Sequence, residues 1–212
     1  MSTWAIVPVK PLRRAKSRLA DVLSPEQRRL LAERMLRHVL QVVQNAPQIL
    51  GTLVISRDSE ALAIAREYGL RTVQEAGSPE LNAALGRATQ VVAGWGGDSV
   101  LVLPADLPLL EAKDLGALID RGSEGPCVVI ATDAQRDGTN ALFIRPPGVI
   151  GYAYGEGSFS RHRQLAHAAG IRLREYHSNT LALDIDVADD LQQYYRYIEE
   201  LPSLAREGSM HE

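Results

Sequence analysis

Short runs that are apolar at every position alternate along this chain with longer segments that are apolar on one face only. TWAIVPV (3–9), GTLVIS (51–56), LRTVQE (70–75), SVLVL (99–103), PCVVIA (126–131) and 140–145 read as strands, with two more near 171–176 and 180–185. Between and after them, 24–46, 59–69, 80–93, 111–121, 158–169 and 188–200 read as helices. A strand apolar on both sides has no face to give to water, so its sheet has to be covered twice. Strand–helix alternation places the covering helices in the crossovers and makes neighbouring strands parallel. The expected fold class is therefore α/β, a mostly parallel central sheet with helices on both faces.

Local signals agree with this pattern. Ser24 stands at an N-cap, Pro25 at the first helical position, and Gln27 completes a capping box. Leu30, Leu31, Met35, Leu36, Val39, Leu40 and Val43 then fall on one helix face. Gly69 closes the following helix. With 212 residues the chain is expected to form one domain (1–212), about 203–212 being a flexible tail.

Composition excludes several classes of partner. A net charge of −3 with 5% aromatic residues offers little to nucleic acid or to an anionic membrane. No apolar run approaches the ~20 residues of a membrane span, and MSTWAIVPVKP has no signal-peptide pattern. The one cysteine, Cys127, lies in a core strand as a small hydrophobe. These features fit a cytoplasmic protein.

The apolar run VLVLPADLPLL (100–110) leaves a single carboxylate, Asp106, at the mouth of a buried strand. In parallel sheets ligands bind beyond the carboxyl ends of strands, which puts Asp106 in the expected crevice. As a bare turn residue it would also be ordinary. A second acidic group follows in LALDID, where strand alternation turns Asp184 and Asp186 to one side and Ile185 to the core. Two carboxylates so placed repel unless a cation joins them. With Asp106 they suit Mg2+, a hard ion that takes few carboxylates plus substrate phosphates. Asp189 and Asp190 are read as favouring the start of the last helix.

Two further stretches suit anions. VPVKPLRRAKSRL (7–19) places Lys10, Arg13, Arg14, Lys16 and Arg18 in the first strand-to-helix loop, where phosphates gather. It lacks the glycines of a Walker loop or a dinucleotide fingerprint, and a solvated basic surface is the plain alternative. Downstream, DGTN turns Thr139 and Asn140 towards the crevice, while Gly155, Gly157 and Ser158 precede a helix whose first N–H groups are expected to be free for an anion. Arg161, His162 and Arg163 would oppose the dipole there unless an anion compensates them. The five histidines show no zinc spacing. Tyr194, Tyr195 and Tyr197 are packing residues or a subunit contact, which leaves a homodimer open. Asn82 is a helix-surface residue or reaches a base.

VPVK…AKSRL, Leu81-Asn82-Ala83-Ala84-Leu85, LPADLPLL, DGTNAL, GxGSFxRH and LALDIDVADDL occur in this order from about residue 4 to 200. They resemble the 2-phospho-L-lactate guanylyltransferase family, whose bacterial members are also known as phosphoenolpyruvate guanylyltransferases. The resemblance implies a single Rossmann-like nucleotidyltransferase domain of the nucleotide-diphospho-sugar transferase type. It implies transfer of GMP from GTP to a phosphorylated three-carbon acid, with release of pyrophosphate, in coenzyme F-420 assembly. Asp106, Asp184 and Asp186 then correspond to metal-binding carboxylates for Mg2+. Thr139, Gly155 and Ser158 correspond to acceptor contacts. Lys10, Lys16, Ser17, Arg18 and Asn82 correspond to GTP-binding elements, with Asp106 and Lys16 as the catalytic pair. Residue types alone do not choose among phosphoenolpyruvate, 2-phospholactate and 3-phosphoglycerate, and guanine comes from the resemblance. Another nucleotide or sugar transferase on this fold, or a non-catalytic nucleotide-binding module, are the alternatives.

Overall fold

The computed structural model describes residues 2–77 and 80–207. Its sheet contains β1 (Thr3–Val9), β2 (Ile49–Ser56), β3 (Arg71–Gln74), β4 (Ser99–Val102), β5 (Cys127–Thr132), β6 (Thr139–Arg145) and β7 (Arg172–Glu175). They lie side by side in the order β3-β2-β1-β4-β6-β5-β7. All neighbouring pairs are parallel except those of β6, which runs antiparallel to both β4 and β5. The helices are α1 (Pro25–Gln44), α2 (Ser59–Glu67), α3 (Leu81–Gly94), α4 (Ala112–Arg121), α5 (Ser158–Ala168), α6 (Asn179–Ala182) and α7 (Ala188–Glu207).

The continuous apolarity of the strands is explained by two cores, one on each face. In β1, Ala5, Val7 and Val9 join one core while Trp4 and Ile6 join the other. The same alternation runs through β5, with Cys127, Val129 and Ala131 on one side and Val128 and Ile130 on the other. Helices α1, α2 and α4 close the first core, and α3 and α5 the second. The capping box at the start of α1 forms as read, with the Gln27 N–H donating to Ser24 Oγ at 3.3 Å and the Ser24 N–H to Gln27 Oε1 at 2.8 Å. No helix among the described residues is long and apolar enough to cross a membrane.

A third, smaller core is the one that matters for the site. Leu19, Met35, Leu183, Ile185, Leu191 and Tyr194 pack together where the loop after β1, α1, the 183–186 segment and α7 meet. Residues far apart in the chain are thereby pinned beside one another at one end of the sheet.

The structure corrects four details of the sequence reading. Residues 180–185 are not a strand: a single helical turn, α6, is followed by irregular extended chain. Side chains take the backbone's place there. The Ser178 and Thr180 hydroxyls donate to the buried Asp114 at 2.6 and 2.7 Å, and Asn140 Nδ2 donates to the Leu181 carbonyl at 2.8 Å, so no ladder is built. Leu30, counted on the buried stripe of α1, is 50% exposed, because the stripe that packs begins at Ala32 and Met35. The last helix does not stop near 200 but runs to Glu207. Of the expected tail at 203–212, residues 203–207 are therefore helical and 208–212 lie outside the described residues.

Gly122 closes α4 against the ring of the fully buried Phe143, which occupies the space a β-carbon would need. Gly122→Ala is expected to destabilise the fold by about 1–3 kcal/mol through overpacking while leaving substrate affinities unchanged. Urea denaturation compared with steady-state constants checks this, since a loss confined to activity would contradict it.

Candidate active site

A cleft of about 600 Å3 opens at the carboxyl ends of β1 and β4. One wall is the loop leaving β1. Leu12 and Leu19 are buried, and the Leu12 N–H donates to Asp58 Oδ2 at 2.8 Å, so the loop is held at both ends. Between these anchors Lys16 adopts a left-handed conformation, φ 56° and ψ 36°. That conformation costs a non-glycine residue about 1 kcal/mol, and such strain persists where surroundings over-determine it. Its result is to turn the side chain inward. The Lys16 ammonium is buried, 2.7 Å from Asp106 Oδ2 and 3.5 Å from Asp186 Oδ1.

Asp106 owes its position to apolar neighbours. Leu103 and Leu107 are both fully buried, so the Pro104–Asp106 turn crosses the strand end with its carboxylate towards the cleft. On the other side, Leu183 and Ile185 enter the third core, which sets Asp184 and Asp186 among the residues lining the cleft. The expected alternation survives although the strand does not. Asn140 Nδ2 lies 3.4 Å from Asp184 Oδ1.

The electrostatics follow from this crowding. Burial, and then the neighbouring Asp106 carboxylate, push the Asp184 carboxyl up to about 6. Burial alone would lower the Lys16 ammonium, but Asp106, Asp186 and Asp184 together hold it above its ordinary value. Arg18 adds a longer contact to Asp186, 3.5 Å at Nη1. Thus Asp106, Asp184 and Asp186 do converge, around the Lys16 ammonium. Among the described residues no three acidic, histidine or cysteine side chains form a ready-made metal cage as they stand.

The facing wall is built from two loops that grip each other. Asp133 accepts from the Asp137 and Gly138 amides at 2.9 and 2.6 Å, which closes the DGT turn. Asp137 then accepts from the Gly157 amide on its carboxylate at 3.1 Å and from the Phe159 amide on its carbonyl at 2.9 Å. Thr139, Asn140, Gly155 and Ser158 line the cleft as expected. The first amides of α5 are not free, however. Gly155 and Asp137 carbonyls take those of Ser158 and Phe159. Nor does His162 add a positive charge to that helix end. It is fully buried, and burial and then Arg161 push it down to about 4, so it is neutral near pH 7. Arg163 is engaged by Glu175 at 3.2 Å.

The basic loop divides. Lys10, Arg14 and Lys16 line the main cleft, whereas Arg13 faces a neighbouring depression that it shares with Arg14 and Arg57. Ser17 and Arg18 are exposed and lie outside the cleft lining. Asn82 also lies outside it, holding the backbone of Tyr154 from both sides: the Tyr154 N–H donates to Oδ1 at 2.7 Å, and Nδ2 donates to the carbonyl at 3.3 Å. The sequence pattern gives no sign of Asp114, Asp133 and Asp137, and it counts His162 among the cations of the α5 end, whereas the structure makes it a buried neutral ring. His162 was detectable, because Ser158, His162 and Ala166 recur at intervals of four and form the buried stripe of α5.

Solved structures share this architecture. A nucleotidyl transferase from Methanothermobacter thermautotrophicus superposes with a TM-score of 0.66 at 17% identity, over 94% of this chain and 99% of that one. A CMP:2-keto-3-deoxy-manno-octonic acid synthetase solved with CTP superposes at 0.63 and 13% identity, over 94% and 99%. The fold is that of the nucleotidyltransferases. The sequence narrows this: the profile of the family described as "Guanylyl transferase CofC like" matches residues 3–197, and the chain belongs to that family. It is 44% identical over 191 residues to a phosphoenolpyruvate guanylyltransferase from Rubrobacter xylanophilus, covering 90% of this chain and 92% of the relative. It is 36% identical over 191 residues to a 2-phospho-L-lactate guanylyltransferase from Methanothermobacter thermautotrophicus, covering 90% and 83%.

An Asp whose folded value is raised favours the protonated folded state, so stability falls as pH rises from about 4 to 6 and stays lower above. In metal-free protein, Asp184→Asn is expected to remove that loss, gaining on the order of 1–3 kcal/mol over wild type at pH 7.5 and little at pH 4. Urea denaturation at both pH values measures it. A difference between the two proteins that does not change with pH would contradict it.

Proposed function

We propose that this chain transfers GMP from GTP to the phosphate of phosphoenolpyruvate or 2-phospholactate, releasing pyrophosphate, in coenzyme F-420 assembly. The observation that carries the reading is the buried Lys16 ammonium set among Asp106, Asp184 and Asp186 in a cleft whose other wall presents the Thr139 hydroxyl. The family's relatives named phosphoenolpyruvate and 2-phospho-L-lactate guanylyltransferases support the same acceptors.

The chemistry asks little of a general base. A phosphate oxygen of the acceptor is already a nucleophile at neutral pH. It attacks the α-phosphorus of GTP, the bond to the bridging oxygen of the β-phosphate breaks, and pyrophosphate leaves with the electron pair. The protein's task is to hold two polyanions in line and offset a repulsion of the order of several kcal/mol. Lys10, Arg14 and Lys16 line the cleft where the triphosphate would lie, and Lys16 keeps its proton because the carboxylates around it favour the charged form. Thr139 offers its hydroxyl to the acceptor from the facing wall, and Ser158 stands beside it with its own hydroxyl donating to Thr139 Oγ1.

The donor set fits a divalent cation. Lys16 and Arg18 are the cations set against these three carboxylates among the described residues, and burial, then the Asp106 carboxylate, makes Asp184 reluctant to ionise. Asp106, Asp184 and Asp186 would hold Mg2+ through the oxygen ligands it prefers. When bound, it would supply further charge neutralisation between the phosphates.

GTP incubated in turn with phosphoenolpyruvate, 2-phospholactate and 3-phosphoglycerate, with pyrophosphate measured and products identified by mass, tests the assignment. One of the first two acids is expected to be guanylylated, and transfer only to 3-phosphoglycerate or a sugar phosphate would contradict the acceptor. Asp106→Asn is expected to fold normally and lose about 10²–10³-fold in turnover, the scale of removing one electrostatic stabiliser. Unchanged turnover would refute its role.

A further inference from the structure

His162 belongs to no charged group in the cleft, yet its bonding fixes the one hydrogen that Thr139 can present. Its Nε2 stands 2.9 Å from the Ala153 amide nitrogen. An amide N–H only donates, so Nε2 accepts and the proton of the neutral ring sits on Nδ1. Nδ1 lies 3.0 Å from Thr139 Oγ1, which therefore accepts from it. The Ser158 hydroxyl donates to the same oxygen at 3.2 Å. A hydroxyl has two lone pairs and one hydrogen. With both lone pairs engaged inside the protein, the Thr139 hydrogen is what remains, and Thr139 lines the cleft. The edge of the imidazole meets the Tyr154 ring with centroids 4.9 Å apart, which fixes its plane.

We propose that His162 is a positioning residue: it holds the Thr139 hydroxyl as a donor aimed at an anionic oxygen of the acceptor acid. The inference rests on the reading of Thr139 as an acceptor contact. It also explains why the α5 end can serve an anion although its leading amides are already bonded to Gly155 and Asp137. Without the ring, the Thr139 hydroxyl would be free to rotate and give its hydrogen to a protein oxygen instead.

Two measurements test it. Long-range nitrogen–proton correlation spectra of the wild-type protein are expected to show His162 neutral and protonated on Nδ1, and an Nε2-protonated or doubly protonated ring at pH 7 would overturn the proposal. In steady state, read on whichever phosphorylated acceptor the wild type uses, His162→Leu is expected to raise the acceptor KM about tenfold or more, as loss of one bond to a charged group does. The KM for GTP should change less than about twofold. His162→Asn, whose amide can donate from near the Nδ1 position, is expected to recover most of the loss. In a Thr139→Val background, His162→Leu is expected to have no further effect on acceptor KM. Equal changes in both KM values, or an additive effect in the Thr139→Val background, would overturn it. A wrong acceptor would instead show as wild-type turnover with a different acid and an intact split between the two KM values.

Discussion

Three carboxylates can share one pocket in ionised form only if a cation stands among them. That constraint organises this end of the molecule. Lys16 supplies the cation, and its 2.7 Å pair with Asp106 draws together a loop after β1 and a turn after β4 that are ninety residues apart in sequence. Burial opposes the charged form, and the carboxylates around it outweigh that opposition. The left-handed backbone at Lys16 and the buried Leu12 and Leu19 on either side impose the position. The third core does the same for Asp184 and Asp186 by burying Leu183 and Ile185 between and beside them. Apolar packing thus buries like charges side by side, and the Asp184 carboxyl, raised by burial and then by Asp106, records the cost.

The sheet explains why this happens at strand ends. Strands apolar on both faces leave little room for charge in the body of the sheet, so the groups that do chemistry collect where the strands stop. The antiparallel β6 extends this logic. It enters the sheet from the cleft end, so Thr139 and Asn140, its first residues, lie at the site while Phe143 and Ile144 serve the cores. One wall of the cleft is consequently cationic and acidic, and the other is built of hydroxyls and tightly bonded turns. Such a division suits two anionic substrates that meet between them.

Much of this was legible in the residues, and the failures have physical causes. Strand–helix alternation, the α1 capping box and the strand-end position of Asp106 follow from local rules, and the structure contains them. The segment 180–185 looked like a strand because LALDI alternates, but buried Asp114 captured the Ser178 and Thr180 hydroxyls, a long-range contact that no local pattern announces. The free amides expected before α5 failed for the same kind of reason: Asp137, twenty residues away, engages that loop. The basic loop was read as one phosphate-binding unit, yet its φ values turn Lys16 inward and leave Ser17 and Arg18 outside the cleft. His162 beside Arg161 and Arg163 reads as a cation at a helix start, although its place on the buried stripe of α5 marks it as an interior ring.

The central claim is that the Asp106, Asp184 and Asp186 carboxylates form a cation site which lets two phosphorylated anions approach. Anomalous scattering from crystals grown with GTP and Mn2+, which substitutes for Mg2+ at oxygen sites, tests this most directly. The account predicts a manganese peak shared by Asp106 and at least one of Asp184 and Asp186, with the Lys16 ammonium against a phosphate oxygen of GTP. A nucleotide bound elsewhere, or a metal peak that none of the three carboxylates touches, would contradict it.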